Sequence, residues 1–366
     1  MSLKQPYSYA AHKSKFVSYT IRTINIDTDI GNMTNLISQN LNTGDELAAR
    51  SINWSYMCNP LMNAEGLALL DESTDCNMIG MINLSYRHFL FKNKQIVACV
   101  FGDLVVESKH RSLMPALMLL REAIKVALDK TSLVYSFPNK KSVNVALRAG
   151  FEKLGKMTRY VYVVSHRDYL DRIIKWKPLA DILAFTLDNY KSLLGLIFKY
   201  TIYNGYHISN KSLTSDELQF LVANSVLSKY LTAHRSCEFI TWRYHKNPFN
   251  SFISLKCLDN SSSAVCGYAI LEKSDKLLHI RDIYAIDEKS FSAMLYFCVK
   301  ISRSMSIPAV SLGYFGNERI KDLILDSGFI ARESDRSVVI KYRDADNSID
   351  YFNTNNWYLV DGDEDH

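Results

Sequence analysis

Two short patterns recur in the same order along this 366-residue chain, and no other feature limits its fold so strongly. Trp54-x-Tyr56-x-x-Asn59-Pro60 returns as Trp242-x-Tyr244-x-x-Asn247-Pro248, at an offset of 242 − 54 = 188. Asn139 precedes Gly150-Phe151 by 150 − 139 = 11 positions, and Asn317 precedes Gly328-Phe329 by 328 − 317 = 11. Two independent spacings that recur together imply a tandem duplication. The expected fold is therefore α/β (α+β), with two similar units of mixed strands and helices. The length prior of about two domains agrees.

Periodicity fills in the first unit. Alternation predicts strands over 16–24, 66–70, 78–86, 95–106, 133–137 and 159–164. A helix is expected over 27–41, with Asp27 or Thr28 as its N-cap, and another over 142–149. A third runs from Leu113 to about Leu128, with Leu113, Leu117, Leu120, Ile124 and Ala127 as its core stripe. Residues 165–235 read as mainly helical, with a joint at Trp176-Lys177-Pro178. The expected division is 1–165, a connector over 166–235, and a second, degenerate unit over 236–366. Asn356 to Val360 reads as a strand of that unit, and the acidic run Asp361 to His366 as a frayed tail.

Composition narrows the function classes. With 48% hydrophobic and 22% charged residues, the chain can build a sizeable core. Its seven cysteines are odd in number and form no CxxC pair, which reads as reduced thiols and a cytoplasmic protein. No HxxxH or clustered acid spacing supports a metal. The first residues lack the apolar core of a secretory signal. Leu179 to Tyr203 is interrupted by Asp181, Asp188, Lys191 and Lys199, so no membrane span is expected. A net charge of +5 suits an anionic small ligand, and no basic cluster interleaved with aromatics argues for nucleic acid.

The stretch from Gly102 to Phe151 carries the chemistry. A strand feeds a helix through the basic turn Lys109-His110-Arg111, where unpaired amides and the positive end of the helix dipole converge on an anion site. The stretch Val105-Val106-Glu107-Ser108-Lys109-His110-Arg111-Ser112-Leu113-Met114-Pro115-Ala116 resembles the acyl-CoA motif of the Gcn5-related N-acetyltransferase (GNAT) superfamily. There an apolar strand is followed by Arg/Gln-x-x-Gly-x-Gly/Ala opening a helix. Asn139 through Ala146 to Gly150-Phe151 resembles the next motif of the same superfamily. Met114 stands where the family has its first Gly, and Pro115 removes one N–H.

The resemblance implies two tandem GNAT-like domains, each a mostly antiparallel mixed sheet with flanking helices, and an acyl-CoA-dependent N-acyltransferase. It implies a cofactor, acetyl-CoA or 3-hydroxybutanoyl-CoA, held by Leu104, Val105, Val106, Arg111, Ser112, Leu113, Met114, Pro115, Ala116, Asn139 and Ser142. In such a fold the strands on either side of the thioester splay. That places Asp103 as candidate base, with Glu107 as second choice, and a backbone N–H near Leu104–Val106 as oxyanion donor. Tyr160 and Tyr162 are candidate proton donors to the thiolate, and His245 and His279 candidate bases across an interdomain cleft. The equivalent turn of the second half carries acids, so only the first half is expected to bind the cofactor.

The aromatic-Asn-Pro segments and the Asn-Trp-Tyr ending are similar to sugar N-acyltransferases of the FdhC type. That implies a nucleotide-linked amino sugar as acceptor, in bacterial surface polysaccharide synthesis, with Arg87, His88, Arg159 and Arg243 as candidate diphosphate contacts. Alternatives are a FemABX-like aminoacyl transferase and a non-catalytic acyl-CoA-binding module. The diverged half is expected to build the acceptor site, the interdomain wall or an oligomer interface, a homodimer included.

Overall fold

The computed structural model describes residues 18–41, 43–61, 64–74, 77–92, 94–167, 170, 174–179, 181–183, 185–187, 204–343 and 349–365. Two mixed sheets with flanking helices form its core, as the tandem reading requires. In chain order the strands are β1 (Tyr19–Thr23), β2 (Glu65–Asp71), β3 (Asn77–Phe91), β4 (Lys94–Val106), β5 (Leu133–Ser136), β6 (Glu152–Lys156), β7 (Thr158–Val163), β8 (Tyr206–Ser209), β9 (Thr232–Ala233), β10 (Phe252–Asp259), β11 (Val265–Lys273), β12 (Leu278–Ala285), β13 (Ala309–Gly316), β14 (Ile330–Arg332), β15 (Ser337–Tyr342) and β16 (Tyr358–Val360). The helices are α1 (Ile26–Leu41), α2 (Asp45–Ile52), α3 (Leu113–Lys130), α4 (Val143–Ala149), α5 (Ser215–Asn224), α6 (Cys237–Ile240), α7 (Glu288–Ser304) and α8 (Glu318–Asp326).

Each sheet borrows a strand from the other half. The first runs β1-β2-β3-β4-β5-β15-β6, the second β14-β7-β13-β12-β11-β10-β8. β15 lies between β5 and β6, and β7 lies in the matching place between β13 and β14. The exchange is reciprocal, so neither sheet is complete without the other half. A cluster of aromatic and aliphatic side chains drawn from both halves, including Phe89, Tyr135, Phe315 and Trp357, packs between them.

The repeated Trp-Tyr motifs meet at the centre. Both form π-helical turns, over Asn53–Met57 and Thr241–His245. The two indoles stack with centroids 5.0 Å apart. Each donates its N–H to the other's backbone, Trp54 to the Trp242 carbonyl at 2.8 Å and Trp242 to the Trp54 carbonyl at 3.0 Å. The asparagines of the two motifs act alike: Asn59 Oδ1 accepts from the Leu61 amide and Asn247 Oδ1 from the Phe249 amide. Equivalent residues thus make equivalent bonds about a local two-fold, which is what a duplicated sequence must do if its copies pack face to face.

The expected frayed tail is instead buried from Asp361 to Glu364 and half-buried at Asp365; His366 lies outside the described residues. Asp361, Asp363 and Glu364 are all buried. Arg235, itself fully buried, bonds the Asp363 carboxylate at 2.7 and 3.0 Å and pairs with Asp282 at 2.9 Å. Arg159 meets Asp361 at 2.5 Å, and Arg336 pairs with Glu364. Arg87 donates to the carbonyls of Asp363 and Glu364, and Arg243 to those of Glu364 and Asp365. Arg87 and Arg243, expected as diphosphate contacts, are therefore buried structural groups, and Arg159 is half-buried for the same reason. Burial and the neighbouring Arg87 push the Arg243 guanidinium down to about 10.

Smaller expectations also shift. Asn25, not Asp27 or Thr28, caps α1: its side chain accepts from the Asp27 amide at 3.1 Å, while Asp29 pairs with Arg22. Leu113 is 42% exposed and leaves the core stripe, because it opens α3 before the helix reaches the sheet; Leu117, Leu120, Ile124 and Ala127 are buried as expected. The part of 166–235 that is described holds β8 and β9 as well as α5. Most of 179–203 lies outside the described residues; among those described, no helix is long and apolar enough to cross a membrane.

The buried strap makes a sharp stability prediction. Asp363→Ala strands Arg235 with one carboxylate in place of two, at a cost of about 3–5 kcal/mol; a denaturant midpoint shift under a third of that size would contradict the reading. Three partly buried histidines give a second. Burial lowers the proton affinity of His88, His234 and His279 below the usual 6.5. A histidine with a depressed folded pKa adds stability above its unfolded pKa and loses it as pH falls. The melting temperature should fall between about pH 6.5 and 5.5, above the carboxylate range. The triple variant His88→Gln/His234→Gln/His279→Gln should flatten that slope.

Candidate active-site cleft

The cleft begins with one backbone irregularity. β3 and β4 pair Met81 with Val105 and Asn83 with Gly102, so Asp103 and Leu104 together face the single residue Ile82. This is a β-bulge, and Asp103 sits in it with φ +46. Aspartate tolerates the left-handed region better than most side chains, which explains its fit here. The bulge bends β4 away from β5. Their parallel register covers Ala98↔Leu133 to Val100↔Tyr135 and stops there. One further link, Ser136 Oγ donating to the Phe101 carbonyl at 3.4 Å, marks where the strands part.

Beyond that point opens a cavity of about 410 Å³. Gly102, Asp103 and Leu104 form one wall, Ser136, Phe137 and Asn139 the other, and Glu364 and Asp365 close the end. Gly102 is required by that closure: a Cβ there would lie 2.8 Å from the Asp365 carboxylate. A second cavity of about 360 Å³ lies between α1 and the second half, walled by Ile37, Leu41, Tyr244, Phe249 and Phe252. Asp103 lines both cavities.

The same wedge exists in the second sheet, and there the chain fills it. β12 and β13 pair in parallel only from Leu278↔Val310 to Ile280↔Leu312. Tyr314 pairs with Thr158 of β7 on one side and Val360 of β16 on the other, so β16 occupies the β12 side of β13. Tyr358 donates its hydroxyl to the Ile283 carbonyl on β12. Two glycines admit the intruding segment. A Cβ on Gly313 would lie 2.1 Å from Asp361, and one on Gly316 would lie 1.9 Å from the Trp357 carbonyl. The helix termini differ in the same sense. Asp287 caps α7, accepting from the Ser290 amide at 2.7 Å, whereas Ser112 at the start of α3 makes no side-chain cap bond.

The residues expected around α3 divide by role. Ser112, Leu113 and Met114 are exposed at its first turn, while Pro115 is buried and Ala116 partly so. Arg111 is already engaged, donating Nε to the Val106 carbonyl at 3.0 Å and Nη2 to Asn40 at 2.6 Å. It braces the turn against α1. His110 turns inward to Tyr19 at 3.1 Å and lies 3.9 Å from Asp71, away from any phosphate side. Val105 and Val106 are buried sheet residues, and Leu104 lines the cleft. Asn139 accepts from the Lys141 and Ser142 amides, so its side-chain oxygen caps the turn into α4; both Asn139 and Ser142 line the cleft.

Asp103, Tyr160 and His245 are not brought together. Tyr160 travels with β7 into the second sheet, where it is buried against Tyr314. His245 ends the second π-helical turn and bonds Ser254 at 3.3 Å beside a separate recess of about 30 Å³. Tyr162 follows β7 as well, near Arg303, and His279 lies on β12 next to Arg281 and Arg159. Sequence reading missed Asp365, Glu364 and Arg336 at the cleft end. Their partners lie more than 100 positions away in most cases, so no local spacing betrays them. Among the described residues no cluster of His, Cys, Asp or Glu could hold a metal, and none of the six described cysteines is in a disulfide.

Known proteins resemble this chain in structure alone. No family model matches the sequence, and no curated protein does. A conserved protein of Enterococcus faecalis V583 superposes with TM-score 0.61 at 11% identity, covering 89% of this chain and 72% of that one. A GCN5-related N-acetyltransferase from Anabaena variabilis ATCC 29413 gives 0.58 at 12% identity, over 89% and 73%. A tandem GNAT protein from the clavulanic acid biosynthesis pathway gives 0.53 at 11% identity, over 89% and 98%. At such identities the likeness speaks to the fold, and the fold is that of two GNAT-like units in tandem.

Proposed function

We propose that this chain is an acyl-CoA-dependent N-acyltransferase working through the first half alone. The observation that carries the reading is the pair of wedges: the one between β4 and β5 is open, and its counterpart between β12 and β13 is filled by β16. The residues fit an acyl-CoA. An extended apolar-walled slot runs between Leu104 and Phe137, and the uncapped first turn of α3 offers amides of Leu113, Met114 and Ala116 to a pyrophosphate. A bound acyl-CoA supplies an activated thioester carbonyl.

The chain's own groups then act on the acceptor. Asp103, reaching both cavities, takes a proton from the incoming ammonium. The freed amine nitrogen attacks the thioester carbonyl and gives its second proton to solvent as the carbon–sulfur bond breaks, and the departing thiolate takes a proton from solvent. Asp365, against Gly102, is the second carboxylate in position to receive the proton.

The acceptor read from sequence is a nucleotide-linked amino sugar receiving an acetyl or 3-hydroxybutanoyl group. It draws support from the aromatic walls Phe249 and Phe252. Its other supports have structural occupations: the Asn-Pro asparagines cap turns, and the acidic ending is the buried strap. What the reading retains is transfer to an amine.

Two variants test it. Asp103→Asn keeps a residue that accepts φ +46, so folding should survive while kcat falls about 10²–10⁴-fold with acetyl-CoA affinity unchanged. Loss of less than tenfold would remove Asp103 from the chemistry. Met114→Glu adds a carboxylate at an exposed helix start, which helps the helix and repels a pyrophosphate. CoA affinity by calorimetry should drop at least about tenfold with the melting temperature held or raised; equal affinity would place the pyrophosphate elsewhere. Thiol release absent with every acceptor, but CoA bound, would favour a non-catalytic binding module.

A further inference from the structure

We propose that the helical segment beginning at Trp176 docks this chain on an anionic lipid surface, lying in the headgroup layer without crossing it. The proposal goes beyond the acyl-transfer reading and does not depend on it.

Residues 177–179, 181–183 and 185–187 are helical, and every described residue from 175 to 187 is exposed. Trp176 is 65% exposed, Ile182 63% and Phe185 72%, and Leu179, Leu183 and Leu187 are exposed with them. Single apolar side chains in water are ordinary, but a run of six large ones marks an interaction surface.

The breadth of the apolar face selects lipid. At about 100° per residue, Leu179, Ile182, Leu183, Phe185 and Leu187 spread over about 200° of the helix circumference. A helix seated in a protein groove shows a narrower stripe, with anchors at i, i+3, i+4 and i+7. An arc of half the circumference suits a helix sunk to its axis where headgroups meet acyl chains. Thr186, within the arc, returns its hydroxyl to the Ile182 carbonyl at 2.7 Å. Asp181, outside it, pairs with Arg167, Nε to Oδ1 at 3.0 Å.

Charge supplies the sign of the surface. From Ile174 to Tyr203 the sequence holds four lysines against two aspartates, and Asp181 is the one already paired. Lys175 and Lys177 flank Trp176 at the start of the helix. There an indole sits at headgroup level while the ammonium groups reach lipid phosphates.

Trp176 also provides the readout. Trp54, Trp242 and Trp357 are buried, so a change of emission on adding vesicles reports on Trp176. The full chain is mixed with phosphatidylcholine vesicles, with and without about one-quarter phosphatidylglycerol. The expected result is a blue shift and co-sedimentation with the mixed vesicles, at least about threefold stronger than with the neutral ones and weakened by salt. Ile182→Asp/Phe185→Asp should lower the partition coefficient at least about tenfold. Both side chains are exposed, so the melting temperature and CoA affinity should hold. Lys175→Glu/Lys177→Glu should remove the preference for the anionic vesicles. Absence of both blue shift and co-sedimentation overturns the proposal, as does equal binding to the two vesicle types or unchanged binding by Ile182→Asp/Phe185→Asp. Self-association without lipid that the same double variant dissolves would assign this face to a second copy and overturn it too.

Discussion

Everything in this molecule is arranged around the acidic strap Asp361–Asp365 and the arginines that hold it. Burying carboxylates and guanidinium groups costs several kcal/mol per ion unless each finds partners. Here Arg235 bridges Asp282 and Asp363, Arg159 holds Asp361, Arg336 holds Glu364, and Arg87 and Arg243 bind the strap's carbonyls. The partners come from both halves, so the strap is satisfied only when both sheets are in place. The same contacts fix what the strap does at its two ends. One end leads from β16, which fills the second wedge; the other puts Asp365 against Gly102 at the mouth of the first.

That arrangement explains how two copies of one fold come to differ. A β-bulge at Asp103 opens the first wedge, which is lined by apolar side chains such as Leu104 and Phe137 and by a few polar groups. In the second, glycines at 313 and 316 remove the side chains that would exclude a third strand, and β16 enters. The reciprocal exchange of β7 and β15 then ties the halves together, and the stacked Trp54–Trp242 pair closes the centre. The cavity between the halves is consequently a property of neither copy. Its floor comes from α1, its acids from β4, β11 and the strap, and its aromatic side from the loop after the second π-helical turn.

Much of the local structure was legible. The extents of α1, β4, α3 and α4 follow from apolar periodicity, whereas β3 runs five residues past its expected end at Tyr86, and the left-handed Gly150 that ends α4 follows from its place after Ala149. Asp103 was legible as a candidate because it stands on a strand expected to splay. Tyr160 and His245 were not placed correctly, and the reason is topological. Periodicity identifies β7 as a strand, but gives no hint that it crosses to the other sheet. The arginines at 87, 159 and 243 read as candidate diphosphate contacts because a charge pattern carries no record of partners far along the chain.

The sequence by itself determined the duplication and most of the elements of the first half, because repeats, periods and turn residues are local properties. Tertiary structure decided which wedge stays open, where the acidic ending goes and which charges face the cavity beside α1. Those outcomes depend on desolvation and on close approach between segments separated by up to 277 positions, as for Arg87 and Glu364. Such contacts exist only once both sheets have assembled around the strap.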